Sequence, residues 1–342
     1  MTAKPRLLSL IVEVTERCNH ACLHCYNVWH GDGYPRGELD TSRTLDLLAK
    51  ALDETDCSHV TLTGGEPLLR HDLPAILDFL SERGVRVTVI SNGRLLDERN
   101  TMDLLGRGVG LFELPLLADR REVHDTLSGA PGAWDAVLAA MADLRIRRGQ
   151  FIAVFVITRL NVDRLYETIK LAFAFGARAL MLNRFNPGGR GREHIAELLP
   201  TPSQVRQALE TANAASEEFG LPISCSIPIQ PCLIDMHAYP RLGHGYCAAG
   251  SERAYYTLDP LGNLRPCNHS TTILGNLFGR PFGELIASEQ MSAFTCAIPP
   301  FCAACDRHLE CQGGCKAAAQ VCYGSLTAEE PFLQQTHALH ET

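Results

Sequence analysis

Apolar and polar positions alternate in blocks along the first two thirds of the chain. Leu7 to Val14 is a mostly apolar run, the pattern of a buried strand. A glycine-rich connection through Gly31, Gly33 and Gly37 leads to a helix beginning near Thr41. There Leu45, Leu48, Ala49 and Leu52 make one apolar face. His59 to Thr63 predicts a second strand, and a helix from Asp72 carries Leu73, Ile76, Leu77 and Leu80 before stopping at Gly84. The unit repeats. Strands are predicted at 85–90, 111–116, 151–158 and 179–183, with helices at 97–105, 133–147, 162–175 and from Pro202 to Phe219 behind an N-cap at Thr201.

Strand and helix alternate six times, which requires a parallel sheet with right-handed crossovers. Six units fall short of a closed eight-stranded barrel. The expected fold is therefore α/β, a partial (β/α)6 barrel of the TIM type over residues 1–220. Chemistry in such barrels sits on the loops at the C-terminal ends of the strands. Three short signatures occupy that place: Cys18-x3-Cys22-x2-Cys25 after strand one, Gly64-Gly-Glu-Pro67 after strand two, and Ser91-Asn-Gly93 after strand three. Their shared position turns three weak motifs into one site.

Composition narrows the class. Hydrophobic residues make up 46% and charged residues 20% of 342, as in an ordinary globular chain, and a formal charge of −8 without any dense Lys/Arg run argues against nucleic acid. No stretch reaches the roughly 20 apolar residues of a membrane helix. The N-terminus lacks the apolar core and cleavage site of a signal peptide. A cytoplasmic protein is expected, and in a reducing compartment fourteen cysteines point to metal rather than disulfides.

Three cysteines in one loop cannot fill four coordination positions. A [4Fe-4S] cluster held there keeps one iron open to something that is not protein. The competing possibility is structural zinc, with His20, His24 or His30 as fourth ligand. CxxxCxxC followed by GGEP on the next strand resembles the radical S-adenosylmethionine (SAM) superfamily. The resemblance implies that Cys18, Cys22 and Cys25 bind a [4Fe-4S] cluster whose open iron is chelated by SAM. It also places Gly64, Gly65 and Glu66 at the methionine end of SAM, the His24 backbone at its adenine, and Ser91 and Asn92 at its polar groups. The implied chemistry is reductive cleavage of SAM to a 5′-deoxyadenosyl radical that abstracts hydrogen from substrate. One departure stands out: relatives often end strand four in Ser-Leu-Asp-Gly, whereas Phe112 to Asp119 here reads FELPLLAD. His124-Asp125 resembles the segment that follows it, with a turn or helix cap as the plain alternative. The Asn186-Pro-Gly-Gly-Arg-Gly191 loop could face the same pocket.

Beyond Gly220 helical periodicity fades while Pro, Gly and Cys become dense. Residues 221–246 form a bridging segment, 247–325 a small cysteine-rich domain and 326–342 a C-terminal tail. Cys247-x14-Gly262-x4-Cys267, then Cys302-x2-Cys305-x5-Cys311-x3-Cys315 and Cys322, resembles the SPASM domain of radical SAM enzymes. That resemblance implies two auxiliary [4Fe-4S] clusters. Cys302, Cys305, Cys311 and Cys322 would hold the distal one, and Cys247, Cys267 and Cys315 the nearer one. A further cysteine that fully ligated relatives carry shortly after the first is missing from Ala248 to Arg253. The nearer cluster then either keeps an open iron or is closed from upstream by Cys232 or Cys225, with Cys232 slightly preferred. Cys57 and Cys296 read as small apolar residues.

SPASM relatives mostly modify peptides or proteins. With the barrel starting by residue 7, a peptide substrate is expected to need a separate leader-recognition protein. A flavodoxin- or ferredoxin-type reductant is the expected electron source. Asn268 stands where sulfatase-maturing relatives use aspartate as a base, which disfavours that activity. The leading expectation is radical modification of a ribosomally made peptide, by crosslink or oxidation, with the auxiliary clusters as electron acceptors. The alternatives are dehydrogenation of a small metabolite and, from another class, a non-catalytic iron–sulfur or zinc protein. Glu113, His124 and His269 are the candidate catalytic residues.

Overall fold

Six strands form the centre of one sheet: β1 (Leu10–Thr15), β2 (His59–Gly64), β3 (Arg86–Ile90), β4 (Val109–Pro115), β5 (Phe151–Ile157) and β6 (Leu180–Arg184). They lie in chain order and pair parallel throughout. The structure is a computed structural model describing residues 4–335, so residues 336–342 of the expected tail lie outside the described residues. A helix follows each strand, as expected of a partial (β/α) barrel. β1 is buried along its whole length, and Leu47, Leu48, Ile76, Leu77, Val137, Met141, Ile169 and Leu209 pack from the helices into one core.

The helix ends follow local chemistry. Asp40 caps Thr41–Glu54 by accepting from the Arg43 amide, and Asp97 caps Glu98–Gly106 by accepting from Asn100. Thr201 and Gln204 form a reciprocal capping box ahead of Pro202–Phe219. Gly176 ends Leu165–Phe175 in the left-handed conformation, φ +87°. The helix Arg121–Ser128 was not anticipated, and it carries His124 and Asp125.

The sheet runs on past residue 220. Ile223–Ser224 pairs parallel with β6, and Leu242–Gly243 pairs parallel with Ile223–Ser224. At the opposite edge Thr257–Leu258 pairs parallel with β1 and leads into antiparallel Asn263–Arg265 and Gly275–Asn276. Among the described residues the sheet thus has eleven strands, and the cysteine-rich region shares the barrel's backbone hydrogen bonding. Among the described residues no helix is long and apolar enough to cross a membrane.

Two buried ion pairs fasten the C-terminal region to the barrel. Arg265 pairs with Glu13 of β1, both essentially without exposure, and its guanidinium also donates to the carbonyls of Asn268 (3.2 Å) and Ser270 (2.9 Å). Arg184, at the end of β6, pairs with Glu330 and donates through Nε to the Pro228 carbonyl at 2.8 Å. Buried pairs of this kind give register more than net stability, but loss of one partner is severe.

Candidate active site

The cysteine loop is held from both ends by the loop after β2. The amides of Gly65 and Glu66 donate to the carbonyls of Thr15 and Arg17, each at 2.8 Å. From the far end Asn27 Nδ2 donates to the Gly64 carbonyl at 2.8 Å. These contacts explain the glycine pair: a Cβ on Gly65 would lie 2.1 Å from the Arg17 carbonyl oxygen, and Gly64 has φ +128°.

Glu66 is completely buried and organises the third signature. One carboxylate oxygen accepts from Ser91 Oγ (2.9 Å) and the Leu68 amide (3.2 Å), and the other from the Asn92 amide (2.8 Å). Asn92 Nδ2 then donates to Asn19 Oδ1 at 2.6 Å, inside the cysteine loop. The three signatures therefore form one hydrogen-bonded unit. The Asn186–Gly191 loop joins it. The Gly191 amide donates to the Cys25 carbonyl at 2.9 Å, and a Cβ on Gly189 would lie 2.4 Å from the Asn27 carbonyl oxygen.

The donor set fits an iron–sulfur group. Cys18, Cys22 and Cys25 are all free thiols. Burial pushes the Cys25 thiol up to about 11, with Cys18 adding to it. Cys22 is pushed higher still by burial and by the neighbouring Cys25 and Cys18. Three crowded thiols ionise there only against a compensating cationic metal. Among the described residues both ring nitrogens of His20 and Nδ1 of His24 are buried without a hydrogen-bond partner beside the loop. Among the described residues no three His, Cys, Asp or Glu side chains are gathered as around a single metal ion. In a cluster each thiolate bonds a different iron, which spreads the ligands more widely.

A second thiol group lies next to the first. Cys247, Cys267 and Cys315 line one cavity together with Tyr246, Tyr255 and His269. Neither Cys225 nor Cys232 lines it. Cys225 is a buried core residue whose amide donates to Gly243. Burial, and then Glu330, push the Cys322 thiol up to about 12. The link between the two thiol groups is aromatic: Tyr26, directly after Cys25, stacks on His269, and its hydroxyl accepts from Asn268 Nδ2 at 2.9 Å. Asn186 Nδ2 lies 3.2 Å from His269 Nδ1 and 3.3 Å from the Cys315 sulfur.

The three candidate catalytic residues have different surroundings. His124 is buried and its Nδ1 accepts from the Leu117 amide at 3.2 Å, which fixes the turn after β4. Asp125 accepts from the Gly132 and Trp134 amides and so starts the next helix. This pair has a structural duty, as does Asp119, which is clamped by Arg164. His269 is kept neutral by burial and then by Arg265 and Arg184, and serves as a stacking partner. Glu113, on β4, is raised to about 7 by burial. Asn186 belongs to the site, on the loop expected to face it, while Tyr26, Asn19 and Asn27 belong to it but were not anticipated. Their one sequence signal is position, on loops that follow strands.

Residues 12–172 match the model of the Radical SAM superfamily. An AdoMet-dependent heme synthase of Methanosarcina barkeri is 26% identical over 350 residues, covering 97% of either chain. A PqqA peptide cyclase of Methylocella silvestris is 28% identical over 342 residues, covering 97% of this chain and 89% of that one. Among solved structures, Streptococcus suis SuiB bound to its precursor peptide SuiA superposes with a TM-score of 0.74 at 15% identity, over 96% of this chain and 76% of that one. That likeness is one of fold. Taken with the thiol loop and the glycine loop that grips it, these matches make residues 12–172 a radical SAM domain, followed by a cysteine-rich C-terminal region that fits a SPASM domain.

Proposed function

We propose that the enzyme modifies a ribosomally synthesised peptide, by crosslinking or oxidation, with its auxiliary clusters as electron acceptors. When bound, the cluster and SAM supply a 5′-deoxyadenosyl radical that abstracts a hydrogen atom. Cys18, Cys22 and Cys25 would hold that cluster. The Gly64–Gly65 backbone would frame the methionine end of SAM, and Glu66 would hold Ser91 and Asn92 in place. His24 would contribute its backbone at the adenine. Cys247, Cys267 and Cys315 would hold the nearer auxiliary cluster with one iron left open toward their cavity.

The observation that carries this proposal is the stack of Tyr26 on His269, which sets the SAM loop directly against the nearer cysteine cavity. A substrate radical formed at the first site would then lie beside an electron acceptor. The peptide class is supported by the PqqA peptide cyclase and by SuiB with its precursor peptide. A leader-recognition protein and a flavodoxin- or ferredoxin-type reductant complete the proposed system. We retain the division into 1–220, 221–246, 247–325 and 326–342 as a functional one.

The test is to incubate the reconstituted enzyme, SAM and reductant with each short peptide encoded beside its gene, and to weigh the products. A peptide that loses hydrogen, with matching 5′-deoxyadenosine, supports the proposal. Unchanged masses throughout, with SAM still cleaved, would favour small-metabolite chemistry, the class suggested by the heme synthase.

A further inference from the structure

Asn186 stands just past the end of β6, on the loop that also meets the cysteine loop through Gly191. It is buried, and its side chain makes three contacts. The amide oxygen accepts from Arg184 Nη1 at 3.4 Å. The amide nitrogen lies 3.2 Å from His269 Nδ1 and 3.3 Å from the Cys315 sulfur. A guanidinium can only donate, so the oxygen must face Arg184 and the nitrogen must face the ring and the sulfur. Both amide hydrogens are thereby used. His269 accepts one at Nδ1, which places its own proton on Nε2, and the Cys315 sulfur accepts the other.

Cys315 is held at its backbone as well. Its amide donates to Glu330 at 3.1 Å, and Glu330 pairs with the same Arg184. Arg184 is fixed in turn by the Pro228 carbonyl, which accepts from Nε at 2.8 Å, and by Phe332, whose ring centroid lies 4.7 Å from the guanidinium. One buried guanidinium therefore sets both the group that holds the Cys315 amide and the group that meets the Cys315 sulfur. A buried amide without partners would be costly. At Asn186 every polar atom has one, and two of the three partners belong to the cysteine cavity.

We infer that Asn186 is a positioning residue that raises the reduction potential of the nearer auxiliary cluster through its N–H···S bond to Cys315. This rests on the proposal that Cys247, Cys267 and Cys315 hold a cluster there. Hydrogen bonds to the sulfurs are among the factors that fix such a potential. A donor on the sulfur draws off part of its negative charge, which favours the more reduced state. The site then becomes a better acceptor for the one electron that leaves the substrate radical. The second N–H of Asn186 holds His269 against Tyr26, so one side chain serves both the acceptor and the stack.

The test uses the full chain, reconstituted anaerobically, with Cys18, Cys22 and Cys25 replaced by alanine so that only auxiliary iron is present. Bound iron in this background upholds the auxiliary clusters. No bound iron overturns them and this inference together. Redox titration followed by electron paramagnetic resonance then reads the potentials. Asn186→Leu removes the donor and leaves no room for a water to replace it. Asn186→Asp keeps the shape but turns the donor into an acceptor. Both variants are expected to keep their iron and to make reduction of one cluster at least about tenfold less favourable, a fall of about 59 mV for one electron. The other cluster should titrate as in the parent. An unchanged or raised potential in either iron-loaded variant would overturn the inference while the auxiliary clusters stand. Loss of iron from both would also overturn it, because Asn186 would then serve assembly rather than potential.

Discussion

Tyr26 and His269 stack with ring centroids 3.9 Å apart and planes 22° apart. They lie more than two hundred residues apart in sequence, one beside Cys25 and the other beside Cys267. The stack joins the two thiol groups, and Asn268 and Asn186 fix it from either side. An aromatic pair of this kind contributes about 0.5–1.5 kcal/mol beyond its buried area. Its larger effect here is positional.

His269→Ala should therefore separate two activities. SAM cleavage without substrate is expected to stay within about threefold of the parent, while peptide product falls at least about tenfold, the equivalent of about 1.4 kcal/mol. Parallel assays of 5′-deoxyadenosine and product mass would check this. Undiminished product would show that the stack has no part in alignment.

Gly65→Ala drives a Cβ to within 2.1 Å of the Arg17 carbonyl, a backbone atom that cannot turn aside. SAM affinity measured calorimetrically is expected to fall at least about tenfold, about 1.4 kcal/mol. Gly84→Ala is the control. Gly84 has φ +68° with nothing near its missing Cβ, so the change should cost about 1–2 kcal/mol of stability and leave SAM affinity alone. Equal affinities in the two variants would contradict this account of the glycine loop.

Glu13→Ala leaves the buried Arg265 guanidinium unpaired beneath the Cys267 loop. A loss of about 3–5 kcal/mol is expected in denaturant melts. The double variant Glu13→Leu/Arg265→Met should recover part of that loss, though not all, because the Asn268 and Ser270 carbonyls also lose their donor. A loss below about 1 kcal/mol, as for exposed pairs, would contradict the role given to this pair.

Glu113 is raised to about 7 by burial. Between its unfolded pKa and 7 the folded chain holds a proton that the unfolded chain has released, so stability falls as pH rises through that window and levels off above it. Glutamine cannot ionise. From pH 6 to pH 8 the parent should therefore lose about 1 kcal/mol relative to Glu113→Gln. A parallel response of the two proteins would place the Glu113 pKa in the ordinary range. The side chain is only partly sealed from solvent, which keeps the expected effect at this modest size.

The barrel was legible in the sequence because its signals are local and periodic. Six apolar strands, the caps at Asp40, Asp97 and Thr201 and the stop at Gly176 all lie within a few residues of what they determine. That the cysteine loop, the glycine loop and the Ser-Asn turn meet was legible from their shared place after successive strands. Two-residue strands such as Ile223–Ser224 and Thr257–Leu258 have no period to detect, and they exist only because β6 and β1 offer open edges. Glu13 looked like an interruption in an apolar strand, since Arg265, the residue that accounts for it, lies far along the chain. The same distance hid the pairing of Tyr26 with His269.

The central proposal is that one chain carries a SAM-binding cluster and two auxiliary clusters. Iron per chain after anaerobic reconstitution of the full-length enzyme tests it most directly. The account predicts about twelve irons, four for each cluster. About four irons, with SAM still cleaved, would contradict it and leave a radical SAM barrel whose remaining cysteines are structural.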